Sequence, residues 1–356
     1  MELSTIVQQS FFRIIMVNGA RSFSGIGRYA KDTLTAFEKD ALLISLAFSR
    51  EDYESGMPGN VFKGIYPPVT SGWFINTKLQ GLVFRQASRF AGQFAPNTNI
   101  IHYVDPYVFP FFKADKTIVS VLDIIPLSDH SWAPKAWIKY ARKCLLSHLR
   151  TENIVTCSNK VKREIEDYGF SGKINVVYPY VNASLRLNVT KSDARKTLGL
   201  PEDRTIILSI SSSSQRKNLN LLKSIMEELD KKYLLVRVGS DIGIGKNFKN
   251  IDDSTLNKIY RAADVLLFPT LDEGFGYPLA EAMANGLPVV TTNLEVTREV
   301  TRDAAVLSDL TMRGFVESIK EALNNAPYYS RKSFEVSKYY TKEKYAEALG
   351  KVYNEL

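Results

Sequence analysis

The chain has 356 residues, 45% of them hydrophobic and 24% charged, a composition typical of a globular protein long enough for two domains. No run approaches the ~20 apolar residues of a membrane-spanning helix and the N-terminus lacks a secretory leader pattern, so we expect a cytoplasmic protein. The chain has two cysteines, Cys144 and Cys157, which argues against a disulfide framework or a cysteine-built metal site. The net charge is +8, but the sequence contains no recognisable nucleic-acid-binding module, so no nucleic-acid partner is expected.

Short apolar runs and amphipathic stretches alternate through the first half of the chain. A strand over 13–17 leads into a segment with Gly25 and Gly27, and the next helix repeats apolar residues at helical spacing, namely Tyr29, Ala30, Leu34 and Phe37. Further strands are predicted at 41–47, 99–103, 117–121 and 153–156. Such alternation is typical of a doubly wound parallel sheet.

The second half opens with a strand over 205–210 and a polar loop that ends in Arg216 and Lys217. An amphipathic helix follows, so the two cations stand at the carboxyl end of a strand and beside a helix start. Two fixed cations there match a diphosphate of about −2 charge through charge-assisted hydrogen bonds, and the alternative is a pair of solvated loop residues. After a strand over 234–239, Asp252 and Asp253 precede a helix and are interpreted as its cap rather than as metal ligands.

A strand, a glycine loop, a short helix and a second strand follow one another in the next segment. The apolar run over 265–269 predicts the first strand, and Pro278 stands where its fixed φ favours a first helical residue. Gly286 marks the end of the helix, and the apolar run over 287–291 predicts the second strand. This is the βαβ layout of a parallel sheet.

The loop in this segment carries two glycines and lies between two acids. Gly274 and Gly276 let the backbone approach a ligand closely, and the following helix N-terminus offers N–H groups to an anion. Glu273 and Glu281 flank this pocket, and an ionised carboxylate accepts two hydrogen bonds from neighbouring hydroxyls, as on a ribose. Amides for phosphates and carboxylates for two polyols describe a nucleotide-sugar, and the alternative is a buried turn with two solvated acids.

The whole motif resembles the signature of retaining glycosyltransferases of family 4. Glu273 and Glu281 are separated by seven residues around Gly-Phe-Gly-Tyr-Pro, and the run over 282–290 continues the pattern. The resemblance implies an α/β GT-B fold, in which two Rossmann-like doubly wound domains face each other across a cleft. It implies an acceptor domain over 1–182, a donor domain over 183–335 and a C-terminal helix within 336–356 that packs back on the first domain.

For the donor, the resemblance implies a site built from both halves of the chain. The loop with Gly25 and Gly27 is expected to face the donor diphosphate, and Arg216 and Lys217 to bind its phosphates. The region around Ile251 is expected to border the nucleotide base. The other donor-binding residues that the resemblance implies are Gly274, Phe275, Gly276, Tyr277 and Glu281.

For the reaction centre, the family commonly has a His-Asp pair after a first-domain strand. The matching segment here holds Leu122 and Asp123, so Leu122 stands in place of the histidine. The catalytic candidates are therefore Asp123, His102 and Glu273, with Glu273 fixing the sugar and Glu281 the ribose. The alternative for His102, which lies in the preceding strand, is a structural role.

The expected function is transfer of a hexose from a nucleoside diphosphate sugar, of UDP or GDP type, to an acceptor hydroxyl with retained configuration. We expect neither a metal nor a cofactor beyond this co-substrate, and the acceptor is expected to be a glycan, a glycolipid or a protein-linked sugar. Two alternatives stay open: a nucleotide-sugar epimerase of the same fold, and a non-catalytic nucleotide-sugar-binding protein. A dehydrogenase ranks last because the dinucleotide fingerprint is missing.

Two clusters of basic residues bear on the acceptor. One face of a predicted helix carries Lys135, Lys139, Arg142 and Lys143, and a second segment interleaves aromatic and basic residues at Trp73, Phe74, Phe84, Arg85, Arg89 and Phe90. The first interpretation is a solvated helix face. The second is peripheral contact with an anionic membrane, at its cytoplasmic face, that reaches a lipid-linked acceptor.

Overall fold

The computed structural model describes residues 14–18, 25–45, 61–63, 100–108, 110, 116–127, 135–150, 153–181 and 189–356. The chain divides into two compact units. The first comprises Met1–Pro179 with Tyr345–Leu356, and the second comprises Tyr180–Lys344. Within the described ranges no helix combines the length and the apolar character needed to cross a membrane.

In the described part of the first unit, seven parallel strands form a sheet. They are β1 (Ile14–Asn18), β2 (Ala41–Ser45), β3 (Val61–Lys63), β4 (Ile100–Tyr103), β5 (Lys116–Val121), β6 (Asn153–Thr156) and β7 (Lys173–Val176). Their spatial order is β3-β2-β1-β4-β5-β6-β7. All four residues of the central strand β4 are buried, as expected of a parallel strand covered on both faces.

The helices described in the first half of the chain are α1 (Gly25–Ala36), α2 (Lys135–His148) and α3 (Asn159–Asp167). On α1 the predicted apolar face is confirmed, because Tyr29, Ala30 and Leu34 are fully buried. On α2 the predicted basic face is also exposed at every position, namely Lys135, Lys139, Arg142 and Lys143. Cys144 and Cys157 are free thiols in the core, as predicted. The aromatic and basic residues predicted between Trp73 and Phe90 lie outside the described residues.

Six parallel strands form the sheet of the second unit. They are β8 (Thr205–Ser211), β9 (Tyr233–Gly239), β10 (Lys246–Phe248), β11 (Val265–Phe268), β12 (Val289–Thr292) and β13 (Ala305–Ser308). Their spatial order is β10-β9-β8-β11-β12-β13. The core of this unit is apolar side chains from strands and helices, including Ile207, Leu235, Leu267, Val290, Phe315 and Ile319.

The helices of the second unit are α4 (Lys191–Leu198), α5 (Leu219–Glu228), α6 (Asp253–Ala262), α7 (Tyr277–Ala284), α8 (Glu295–Thr301), α9 (Met312–Asn324) and α10 (Ala326–Ser337). Asp252 caps α6, because its side chain accepts the backbone N–H of Thr255 at 2.7 Å. The interpretation of this acid as a helix cap is therefore confirmed.

The C-terminal helix α11 (Lys342–Glu355) joins the first unit from Tyr345 onward. Tyr345 forms a hydrogen bond of 2.6 Å with Thr33 on α1, and the ring of Tyr353 lies 5.1 Å from that of Phe37. The predicted boundary at residue 335 falls inside α10, so the last segment of the chain begins with the end of one helix and contains a second.

Several elements were not predicted from the sequence. The strands β3 and β10 have three residues each, too few to display a periodicity. The strand β13 and the helices α9 and α10 lie beyond the central motif, in a region where the pattern of apolar residues was not assigned to elements.

Candidate functional site

The second sheet changes its winding direction between β8 and β11. After β8 the chain adds β9 and β10 on one side, and then places β11 on the other side of β8. In open α/β sheets, ligands bind beyond the carboxyl ends of the strands at such a switch point. The loops that follow Ser211 and Phe268 start there, and they carry the predicted residues Arg216, Lys217 and Glu273.

The two loops are held together by main-chain and side-chain hydrogen bonds. The N–H of Leu271 donates to the carbonyl of Arg216 at 2.7 Å, and the guanidinium of Arg216 donates to the carbonyl of Asp272 at 2.8 Å. The hydroxyl of Thr270 lies 3.1 Å from the same Arg216 carbonyl. The two loops, which follow neighbouring strands, are therefore joined by hydrogen bonds on both the main chain and the side chains.

Arg216, Lys217 and Glu273 form an ion cluster where these two loops meet. Nη1 of Arg216 lies 2.8 Å from Oε2 of Glu273, and Nζ of Lys217 binds Oε1 of the same carboxylate. The hydroxyl of Thr270 lies 3.0 Å from Oε1, and Nζ of Lys217 lies 5.2 Å from the centre of the Phe268 ring. The predicted cations and the predicted acid are thus brought together.

The charge of Glu273 is fixed by its neighbours. Burial raises the pKa of a carboxyl group, but the charges of Lys217 and Arg216 outweigh it and hold the pKa of Glu273 at about 2. Glu273 is therefore ionised at neutral pH and acts as a hydrogen-bond acceptor. It is unsuited to exchange a proton with a substrate at that pH.

The glycine loop ends in a backbone conformation that requires glycine. Gly276 has φ of 89° as the N-cap of α7, and a Cβ there would lie 3.0 Å from Cδ1 of Leu279. The ring of Phe275 is buried and packs edge-on against Tyr277 at 5.6 Å and Tyr340 at 5.4 Å. The side chain of Phe275 thus anchors the loop, and a contact with a donor would come from its backbone.

Glu281 is held by a tyrosine that was not predicted. The hydroxyl of Tyr260 on α6 donates to Oε2 of Glu281 at 2.6 Å, and both side chains are buried. Ile251, the residue expected near the nucleotide base, is half-buried and immediately precedes the cap of α6. Tyr260 therefore links the helix that follows Ile251 to the second acid of the motif.

The remaining predicted site residues lie in the first unit. Gly25 and Gly27 occupy the first turn of α1, where Gly25 is exposed and Gly27 is buried. Asp123 follows β5, is half-buried and accepts a hydrogen bond of 2.9 Å from the hydroxyl of Tyr107. The structure thus brings Arg216, Lys217 and Glu273 into one cluster and pairs Glu281 with Tyr260 in the second unit, whereas Gly25, Gly27 and Asp123 belong to the first unit.

His102 has a structural role, which corrects its choice as a catalytic candidate. Its side chain is fully buried, with Nδ1 2.6 Å from the Tyr353 hydroxyl and Nε2 2.7 Å from the Ser120 hydroxyl. Burial lowers the pKa of His102 to about 3, so the ring is neutral. A neutral ring with both nitrogens engaged inside the core offers no atom to a substrate.

Sequence reasoning missed Thr270, Phe268 and Tyr260. Phe268 is the last residue of β11, and Thr270 follows it shortly before Glu273. This position at the carboxyl end of a strand was the signal in the sequence that could have identified both residues. Tyr260 carried no signal, because its contact with Glu281 depends on how α6 packs. Among the described residues, no group of three or more His, Cys, Asp and Glu side chains lies together in a way that could hold a metal ion.

Comparisons with known proteins identify glycosyltransferases as similar proteins. Residues 190–339 match the family of glycosyl transferases group 1. The O-antigen chain mannosyltransferase RfbU of Salmonella typhimurium is 27% identical over 207 residues, which are 53% of this chain and 55% of that protein. The chain spans about half the length of the curated relatives it matches.

Solved structures resemble the whole chain. The sucrose-phosphate synthase of Thermosynechococcus elongatus has a TM-score of 0.76 at 18% identity, covering 96% of this chain and 98% of that one. HepE of Anabaena in complex with UDP-glucose has a TM-score of 0.76 at 14% identity, covering 96% and 99%. The chain therefore has the GT-B fold, and its residues 190–339 match the glycosyl transferases of group 1.

Proposed function

We propose that this protein is a retaining glycosyltransferase that moves a hexose from a nucleoside diphosphate sugar to an acceptor hydroxyl. The observation that carries the proposal is the cluster of Arg216, Lys217 and Glu273 at the switch point of the second sheet. The family match over 190–339 and the likeness to HepE, solved with UDP-glucose, support the same choice.

The charges of the cluster suit a diphosphate. Within the ion cluster itself, two cations and one acid leave a net positive charge. A guanidinium and an ammonium group together carry more N–H donors than one carboxylate has lone pairs, so the cluster is suited to phosphate oxygens as well as to Glu273. We assign the donor phosphates to Arg216, Lys217 and the backbone amides at the start of α7.

The two acids are assigned to the sugars of the donor. Glu273 is ionised, so it accepts hydrogen bonds from hexose hydroxyls while it holds both cations in place. Glu281, oriented by the Tyr260 hydroxyl, is assigned to the ribose. Ile251 precedes the helix that carries Tyr260, so we place the nucleotide base beside it.

The proposed reaction exchanges one C–O bond for another at the anomeric carbon. The bond to the phosphate oxygen breaks, the acceptor oxygen attacks on the same face, and the acceptor proton passes to the departing diphosphate. Arg216 and Lys217 stabilise the charge that develops on the leaving oxygen. Because Glu273 is a very weak base, the leaving group is the proton acceptor in this scheme, and Asp123 of the first unit stays the acidic candidate for orienting the acceptor.

The acceptor is proposed to be a glycan or a lipid-linked sugar. The relative RfbU is named for O-antigen chains, which supports a glycan acceptor. The exposed face of α2 carries Lys135, Lys139, Arg142 and Lys143, and Leu146 on the same face is 50% exposed. A face with cations and one apolar side chain is suited to the surface of an anionic membrane.

Product analysis tests the proposal against its alternatives. The protein is incubated with UDP- and GDP-hexoses and a glycan acceptor, and the products are examined by chromatography and by NMR of the anomeric proton. A glycosyltransferase releases a nucleoside diphosphate and forms a glycosidic bond of retained configuration. An epimerase changes the donor without a new bond, and a non-catalytic binder leaves the donor intact; either result rejects the proposal.

A further inference from the structure

Arg237 is a buried cation whose hydrogen bonds all go to uncharged groups. Its side chain is 1% exposed on β9, and it donates from Nη2 to the carbonyl of Ser211 at 2.9 Å and from Nε to the carbonyl of Ser240 at 3.0 Å. Nη1 lies 3.2 Å from the hydroxyl of Ser209. Among the described residues, Arg237 forms no ion pair. The charge of Asp241 raises the pKa of Arg237 from beyond ion-pair distance.

A guanidinium in such a place is costly to the fold. Burial removes its hydration and lowers its pKa, and neutral acceptors restore less than a carboxylate would. An apolar side chain on β9 would fill the same space without that penalty. The cost indicates that the contacts of Arg237 matter for more than packing.

Those contacts fix the last residue of β8. Ser211 pairs with Gly239 across the strands, and a Cβ on Gly239 would lie 2.2 Å from the Ser211 carbonyl oxygen. Glycine at 239 thus lets β9 approach closely, and the Arg237 guanidinium holds the same oxygen. Arg237 therefore holds the carbonyl oxygen at the end of β8, and Gly239 leaves the space that this oxygen needs.

Ser211 lies just before the turn that carries Arg216 and Lys217, the two cations of the candidate site. After Ser211 the chain reaches a 3-10 turn over Gln215–Lys217, and the N–H of Lys217 donates to the carbonyl of Ser214 at 2.9 Å. Three residues, 212–214, join Ser211 to this turn, so the path of the backbone from Ser211 contributes to the positions of Arg216 and Lys217.

We propose that Arg237 is a positioning residue of the donor site: it fixes Ser211 so that the following turn presents Arg216 and Lys217 to the diphosphate of the donor. The inference rests on the proposed function and adds to it a residue that touches neither donor nor acceptor. Its guanidinium acts through the path of the backbone between Ser211 and Lys217.

The second unit contains a matched control. Arg195 is 4% exposed, donates to the carbonyls of Ala262 and Glu202 at 3.0 Å, and pairs with Asp264 at 2.7 Å. Asp264 immediately precedes β11, so these contacts lie at the amino ends of the strands, whereas the candidate site lies beyond their carboxyl ends. Arg237→Lys and Arg195→Lys both remove a buried guanidinium. Only the first substitution is expected to weaken donor binding.

The test measures UDP and GDP binding by calorimetry, together with kcat and the KM values for donor and acceptor. We expect Arg237→Lys to weaken nucleotide binding and raise the donor KM at least ten-fold, with the acceptor KM unchanged. Arg195→Lys is expected to lower the melting temperature and leave nucleotide affinity within two-fold of wild type.

The outcomes separate the inference from the function on which it rests. Wild-type affinity in Arg237→Lys, or an equal loss in Arg195→Lys, overturns the positioning role alone. A wild-type protein that binds neither nucleotide removes the proposed function and the inference with it. If Arg237→Lys does not fold, Ser209→Ala, which removes one acceptor of the guanidinium, is expected to weaken nucleotide binding two- to five-fold, and unchanged affinity there also rejects the role.

Discussion

Lys217 and Glu273 form an ion pair across 56 positions of the chain, with side chains 11% and 6% exposed. One residue follows β8 and the other follows β11, so their contact joins the two loops at the switch point of the second sheet. Because this ion pair is already held in place, its charges need not rearrange when charge develops on a bound substrate. Enzyme sites stabilise transition states by such preorganised charges.

Replacement of Lys217 should abolish most of the transfer activity. Lys217→Ala removes a fixed cation from the proposed leaving-group site, and such a loss typically costs about 2–4 kcal/mol of transition-state stabilisation, or ~30- to 1,000-fold in kcat. The measurement is release of nucleoside diphosphate under saturating donor. Lys232→Ala, which removes a lysine that is 62% exposed, is the control and should retain wild-type turnover. Equal activity in the two variants would contradict the assignment.

The ion cluster should make stability depend on pH through Glu273. Its pKa is about 2 when folded and about 4.3 in an unfolded chain, so its contribution is present above pH 4.3 and is lost as the pH falls through 2. The contribution is about 3 kcal/mol at neutral pH. We expect the difference in unfolding free energy between wild type and Glu273→Gln to be largest at pH 7 and to shrink below pH 4.

A difference between these two proteins that stays constant from pH 7 to pH 3, measured by urea unfolding, would argue against an ionised Glu273 between two cations.

His102 should add pH dependence in a second window. Its pKa is about 3 when folded and about 6.5 when unfolded, so below pH 6.5 the unfolded chain binds an extra proton and stability falls until about pH 3. The slope for one such proton is about 1.4 kcal/mol per pH unit. His102→Gln should reduce the slope by that amount between pH 6 and 4, while His148, with a pKa lowered to about 4, keeps its own share.

Denaturant unfolding at each pH measures this slope. An identical slope in wild type and His102→Gln would mean that the His102 ring is not the neutral, buried group described above.

The hydroxyl of Tyr260 should matter for donor affinity. Tyr260→Phe keeps the ring and removes the donor to Glu281, and a hydrogen bond to a charged group is worth about 1.5–3 kcal/mol. We therefore expect nucleotide affinity to fall at least ten-fold, measured by calorimetry with UDP and GDP. The matched control is Tyr233→Phe, at the amino end of β9 and therefore at the end of the strands away from the candidate site. This variant should bind nucleotide as the wild type does. Unchanged affinity in Tyr260→Phe would remove Glu281 from the donor site.

The basic face of α2 should bind anionic vesicles at low salt. Flotation with phosphatidylglycerol vesicles is expected to carry the wild-type protein, and neutral phosphatidylcholine vesicles are expected not to. Replacing Lys139 and Lys143 by glutamate should abolish flotation, whereas replacing Lys231 and Lys232, both exposed in the second unit, should not. Absence of wild-type protein from anionic vesicles at low salt would end the membrane proposal.

The segment around the central motif was predictable because its local signals are strong. The apolar run before Pro269, the position of Pro278 and Gly286 after the helix predicted the strand, the helix and the second strand, which the structure places at Val265–Phe268, Tyr277–Ala284 and Val289–Thr292. These signals depend on the conformations that proline and glycine favour, and they act over a few residues.

The contacts between distant residues could not be predicted in the same way. The sequence placed Arg216 and Lys217 at the end of one strand and Glu273 after another, and their contact follows from the neighbouring positions of β8 and β11 in the sheet. His102 was a catalytic candidate because of its place in a strand. Its burial depends on Tyr353, which lies 251 residues further along the chain.

A crystal structure of the protein with a bound nucleoside diphosphate sugar tests the central claim most directly. Crystals are grown with UDP-glucose and with GDP-mannose, and the electron density of the diphosphate is located. We expect phosphate oxygens within hydrogen-bond distance of Arg216 and Lys217, with the hexose beside Glu273 and the ribose beside Glu281. A nucleotide-sugar bound away from these four side chains would contradict it.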